Sequence, residues 1–170
     1  MPKTKRLTYI QQSPGSGQCM LASAAMVLGV TIPILIQEIG HDGSAICWRD
    51  ETPPHDQRGF HIQEVLDCFL SRGLAFYRVD GYPLLNVIGH TPRPVYSDHE
   101  ARFLRLIKGK PAMIYGTVMH GKHMVAWDGE RVYDPSGSGL EHFDQLCHGF
   151  SITCAYVMCM SEVGVNVRSD

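Results

Sequence analysis

Long apolar runs are missing from this 170-residue chain: no segment reaches the roughly 18 apolar residues of a membrane-spanning helix. Excess charge of either sign is missing as well. Lys and Arg total 15 against 17 for Asp and Glu, a formal net charge of -2, and the one basic cluster is Lys3-Thr4-Lys5-Arg6. Such a balance leaves no electrostatic footprint for nucleic acid or an anionic membrane, so neither is expected as a partner. The basic start is followed by Thr8-Tyr9-Ile10-Gln11-Gln12 in place of an apolar signal core, which points to the cytoplasm. There is no fixed-period repeat. The six cysteines, Cys19, Cys47, Cys68, Cys147, Cys154 and Cys159, are irregularly spaced, which argues for buried free thiols over a disulfide framework.

What is present is apolar material, 44% of the residues, enough for one domain with a real core over 1–160 and a frayed tail over 161–170. The order is α+β, with helices early and strands late. Residues 19–29 are apolar on nearly every face, which predicts a helix buried all round. A second short helix over 33–40 opens on Pro33 and closes on Gly40. After a long polar loop over 41–60, the spacing of Ile62, Val65, Leu66, Phe69 and Leu70 marks one face of a third helix, which Gly73 ends. A strand over 75–79, a proline-punctuated loop over 81–97 and a helix over 100–107 follow. The period then changes to that of strands at 111–118, 123–127, 130–133 and 151–159, which predicts an antiparallel sheet, with Asp128-Gly129 as a two-residue hairpin turn.

Cys19 lies between the turn Ser13-Pro14-Gly15-Ser16-Gly17 and the buried helix, so its thiol meets the exposed N–H groups and positive dipole end of a helix, which favour thiolate. A nucleophilic thiol needs a base and a group that orients the base, and both come from distant sequence. The hairpin around Asp128-Gly129 places His123 and Asp134 at the end away from its turn, with their side chains towards each other. The backbone N–H of Cys19 and an upstream side-chain amide, Gln12 or Gln11, would complete an oxyanion hole. His120 is a rival base on the preceding turn.

The array Gln12…Cys19-Met20-Leu21-Ala22, then His123-Met124-Val125-Ala126-Trp127-Asp128-Gly129 and Val132-Tyr133-Asp134-Pro135, resembles the papain-like cysteine peptidases, most of all their C39-type branch and its stand-alone relatives. The resemblance implies a papain-like α+β fold. It further implies Cys19 as nucleophile, His123 as base and then acid, Asp134 as orienting carboxylate and Gln12 as oxyanion donor. The substrate would be a peptide or protein, cleaved through an acyl-thioester, with no cofactor. Two departures stand out: Met20 follows the cysteine where the family has a small residue, and Gln12 lies seven positions before Cys19 where the family has six. With Gln18 beside the cysteine, the choice among Gln11, Gln12 and Gln18 stays open. A cell-wall amidase or acyl transferase would use the same dyad, and a catalytically silent domain of this kind would bind a peptide or protein partner.

His41, Cys47, His55 and His61, with Asp42 and Asp56, form a second cluster, but they lack Cys-x-x-Cys or His-x-x-x-His knuckles, so a solvated loop covering the groove is expected and no metal. The segments Gly15-Ser16-Gly17 and Gly137-Ser138-Gly139 lack the Gly-Lys-Ser/Thr continuation of a phosphate loop.

Overall fold

The computed structural model describes residues 6–13, 16–51, 57–81, 85–88, 91–94, 98–119, 121–137 and 142–159. The first half is helical. Helix α1 (Cys19–Leu28) has no polar face: Leu21 to Met26 are all buried, and the small side chains of Ala22, Ser23, Ala24 and Ala25 let it lie close against its neighbours. Helix α2 (Ile32–Ile39) follows at once. Both helices end on glycines in the left-handed region, Gly29 (φ +69°) and Gly40 (φ +85°), where a side chain is disfavoured. Helix α3 (Ile62–Leu70) starts on a reciprocal cap. His61 Nδ1 accepts from the Gln63 N–H (3.4 Å), and Glu64 Oε2 accepts from the His61 N–H (2.9 Å). Among the described residues no single helix is long and apolar enough to cross a membrane.

The strands are β1 (Ala75–Asp80), β2 (Leu85–Ile88), β3 (Thr91–Pro94), β4 (Ala112–Val118), β5 (Gly121–Trp127), β6 (Val132–Tyr133) and β7 (Ser151–Cys159). Five of them form one antiparallel sheet in the order β1-β7-β4-β5-β6, while β2 and β3 pair with each other. Helix α4 (His99–Ile107) lies between β3 and β4, and α5 (Phe143–Gly149) between β6 and β7. The architecture is therefore α+β, a mixed helical fold on an antiparallel sheet.

Both faces of the sheet are covered, because alternate residues of a strand point opposite ways. Met113, Met124 and Met158 join Leu21, Leu35, Val65 and Phe69 in one core with α1, α2 and α3. Ile114, Val125, Trp127 and Val157 join Phe103, Ile107, Phe143 and Leu146 in the other, with α4 and α5. Trp127 is buried there with its Nε1–H donating to Ile107 O (3.1 Å). Each large side chain removed from water in this way contributes roughly 1.5–3 kcal/mol.

Three expectations change. The segment 81–97 is not simply loop, since it contains the β2–β3 hairpin. Helix α5 is carried by only seven residues, too few for its period to stand out in sequence. The β5–β6 link is longer than a two-residue turn. Trp127 pairs with Val132, and Asp128 to Arg131 form the connection, where buried Asp128 Oδ1 accepts from the N–H groups of Glu130 (2.8 Å) and Arg131 (2.7 Å). The local hydrogen bonds of an aspartate side chain compete with the shortest hairpin. The predicted tail, residues 161–170, lies outside the described residues.

Candidate active site

Cys19 is the first residue of α1 and is half-buried. Gln18, at the N-cap, makes no capping bond with its side chain, and the Ala22 N–H donates to Gln18 O (2.9 Å). The N–H groups of Cys19, Met20 and Leu21 are thus beyond the reach of the helix ladder, and no acidic residue stands in the first turn to offset the positive end of the helix.

His123 is the third residue of β5. The β5–β6 register, continued by one residue past Tyr133, sets Asp134 opposite Val125 and therefore diagonal to His123 on the same face. The diagonal is closed by a hydrogen bond in which His123 Nε2–H donates to Asp134 Oδ1 (2.8 Å), between side chains 11% and 4% exposed. Asp134 Oδ1 also accepts from the Ser136 N–H (2.8 Å). With Nε2 committed to the carboxylate, Nδ1 is the second polar edge of the ring, and Cys19 is the other group that acts on its charge. Burial by itself disfavours the charged ring. The Asp134 hydrogen bond and the neighbouring Cys19, with their charges, outweigh it and push His123 up to about 9, so the imidazole is protonated at neutral pH.

The surroundings hold this pair in place. Gly116, opposite His123 on β4, leaves room for the Phe150 ring: a Cβ there would meet Phe150 Cε1 at 2.2 Å. Phe150 in turn packs edge-on to the His123 ring, centroids 6.3 Å apart. The N-terminal segment is laced along the other partner. The Tyr9 hydroxyl donates to Asp134 O (3.0 Å) and the Gln12 N–H to Pro135 O (3.0 Å).

Of the three glutamines, Gln12 is fastened one residue beyond the orienting carboxylate, and its Oε1 is buried without a hydrogen-bond partner. Gln11 is exposed, with Nε2 beside Gly137. His120 and His55 lie outside the described residues, as does Asp56. His41 and His61 are committed elsewhere. His41 Nε2 meets Glu64 Oε1 (3.2 Å) and its ring stacks on Phe60, while His61 caps α3. Cys47 is exposed, and among the described residues no three His, Cys, Asp or Glu side chains are grouped to hold a metal ion.

Cys19 and His123 open onto a groove of about 480 Å³. Its floor comes from the α1-facing side of the sheet, Tyr115 of β4, Met124 of β5 and Tyr156 of β7, and its far wall from Phe60 and His61. Burial, followed by the neighbouring Cys154, pushes the Tyr156 hydroxyl up to about 12, so that side chain stays neutral. The wall is not free loop. An Ile46–Gln57 bridge, the Arg58 N–H on Ala45 O (2.7 Å) and the Gly59 N–H on Gly43 O (3.0 Å) tie residues 43–46 to 57–59, and Glu64 Oε1 accepts from Arg58 Nη2 (2.6 Å).

Compared with models of known protein families, the chain matches none, and no curated protein is similar enough to match it. The chemistry is therefore argued from the site itself. A thiol sharing its groove with an imidazole that a buried carboxylate orients is arranged for proton exchange between sulfur and ring, beside a helix terminus rich in free N–H groups. The groove floor and the Gly116–Phe150 support were not singled out in the sequence. Strand parity with Met113 and Met124 was the available signal for Tyr115 and Tyr156; Gly116 carried none.

Proposed function

We propose that this chain is a cysteine-dependent hydrolase of peptide or amide bonds, with the papain-like, C39-type arrangement that its motifs resemble. The observation that carries the reading is the His123 ring hydrogen-bonded to the Asp134 carboxylate (2.8 Å) and lining the same groove as the Cys19 thiol. The buried helix that begins at the nucleophile and lies on an antiparallel sheet supports it.

The Cys19 thiolate attacks the carbonyl carbon, forming a C–S bond and a tetrahedral oxyanion. The N–H of Cys19 stabilises that oxyanion, and the side-chain NH2 of Gln12, on a segment whose backbone is fastened at Pro135 O, is the second donor that the motif resemblance implies. The C–N bond breaks as His123 gives its proton to the leaving amine. Water then loses a proton to the neutral ring and attacks the thioester, the C–S bond breaks, and the thiolate–imidazolium pair returns. Asp134 accepts from Nε2–H throughout, which keeps the proton-transferring edge of the ring towards sulfur.

Alkylation by iodoacetamide, mapped by mass spectrometry, tests the pair: modification is expected at Cys19 ahead of the other five cysteines and is expected to slow in His123→Ala. Equal labelling in the two proteins sinks the reading. Turnover of a peptide library, compared with Cys19→Ser, then separates a hydrolase from a domain that only binds.

A further inference from the structure

The groove beside Cys19 has an uneven charge. Among the described residues its lining includes the cations Lys122 and Arg58 and the imidazoles of His61 and His123, but no Asp or Glu. Lys122 precedes His123 on β5 and is set opposite Thr117. It has no ion-pair or hydrogen-bond partner among the described residues, and it is exposed. Arg58 gives one nitrogen, Nη2, to Glu64, which leaves further N–H donors of a guanidinium with five. Two carboxylates that touch lining residues are engaged: Glu64 by Arg58 and His41, Asp134 by His123. Beneath this cationic rim the floor is aromatic, Tyr115 and Tyr156.

We propose that the groove selects substrates with an acidic residue adjoining the scissile bond, its carboxylate received by Lys122 and Arg58. The inference rests on the hydrolase reading of Cys19, His123 and Asp134. It goes further by naming a substrate class and two specificity residues. The charge acts at the rim, in reach of solvent, so discrimination is expected to be moderate and to weaken with salt.

The test uses the full chain and fluorogenic peptides that differ only as Glu, Gln or Lys at each position flanking the cleaved bond. At one position kcat/KM is expected to favour Glu over Gln by about fivefold or more at low salt. The ratio is expected to shrink in 0.5 M salt, at roughly half the physiological screening length. Lys122→Glu is expected to turn the preference towards Lys, and Arg58→Gln to reduce the Glu:Gln ratio. Cys19-dependent cleavage without any preference for Glu overturns the charge inference alone, as does a preference that survives Lys122→Glu unchanged. Absence of cleavage of every peptide, with no selective labelling of Cys19, overturns the hydrolase reading beneath it.

Discussion

At the scale of single residues the site depends on one proton. His123 is raised from 6.5 to about 9, with burial opposing the charge and the Asp134 hydrogen bond and the neighbouring Cys19 more than restoring it. Because the folded value lies above the unfolded one, the proton stabilises the fold fully below about 6.5, and that stabilisation is lost as pH rises through about 9. Two outcomes follow. The imidazolium is the acid that releases the amine, so kcat/KM is expected to fall above pH 9. The stability advantage of the wild type over His123→Ala, from chemical denaturation, is expected to shrink between pH 7 and 10. Asp134→Asn removes the charge but keeps the shape. It is expected to lower the His123 titration, followed by NMR of the ring protons, and to cut kcat on the order of 10²–10⁴-fold, the range of general acid–base catalysis. An unchanged ring titration would mean that the carboxylate 2.8 Å away does not hold the proton in place.

At the scale of elements, orientation comes from neighbours that touch neither sulfur nor substrate. β4 contributes through an absence: Gly116 makes space for Phe150, whose ring edge meets His123. In Gly116→Ala the new Cβ would also meet Ser151 O at 2.4 Å, backbone that moves only with β7, so a loss of about 1–3 kcal/mol is expected from overpacking. Because the displaced ring is the one against His123, kcat is expected to drop more than KM rises. A purely structural role for Gly116 would lower Tm and leave the kinetics of the remaining folded protein alone. Helix α1 contributes by lying deep: Ser23 Oγ donates to Met124 O (3.1 Å), pinning the helix to the residue after His123.

For the molecule as a whole, the sheet separates two cores, and the site lies where α1 from one layer meets the end of β5. The Ser23 bond couples those layers in a fully buried place. Ser23→Ala is expected to cost about 1 kcal/mol, which for a domain of this size lowers Tm by roughly 2–4 °C. Slower alkylation of Cys19 in this variant would show that helix seating and thiol reactivity are linked, and an unchanged rate would confine Ser23 to stability. The N-terminal segment acts at the same scale, since Tyr9 and Gln12 tie it to Asp134 and Pro135, more than a hundred residues away.

Much of this was legible in the linear chain. The all-apolar run after Cys19, the glycines at 29 and 40, the 3.6-residue period over 62–70 and the strand runs read at 111–118, 123–127 and 151–159 each express a local rule, so the α+β order followed from sequence, although β5 begins two residues earlier, at Gly121. The cysteine, histidine and aspartate stood out because each has local company: a helix start, a strand start, a strand end before proline. Tertiary structure decided the rest. The placement of β7 between β1 and β4, the short helix α5 and the β2–β3 hairpin depend on long-range pairing or on segments too short to show a period. The choice of Gln12 over Gln11 as the buried amide, the space at Gly116 and the cationic groove are set by which surfaces meet. Local chemistry is written residue by residue along the chain, whereas burial, charge proximity and the raised proton affinity of His123 are properties of groups brought together from distant positions.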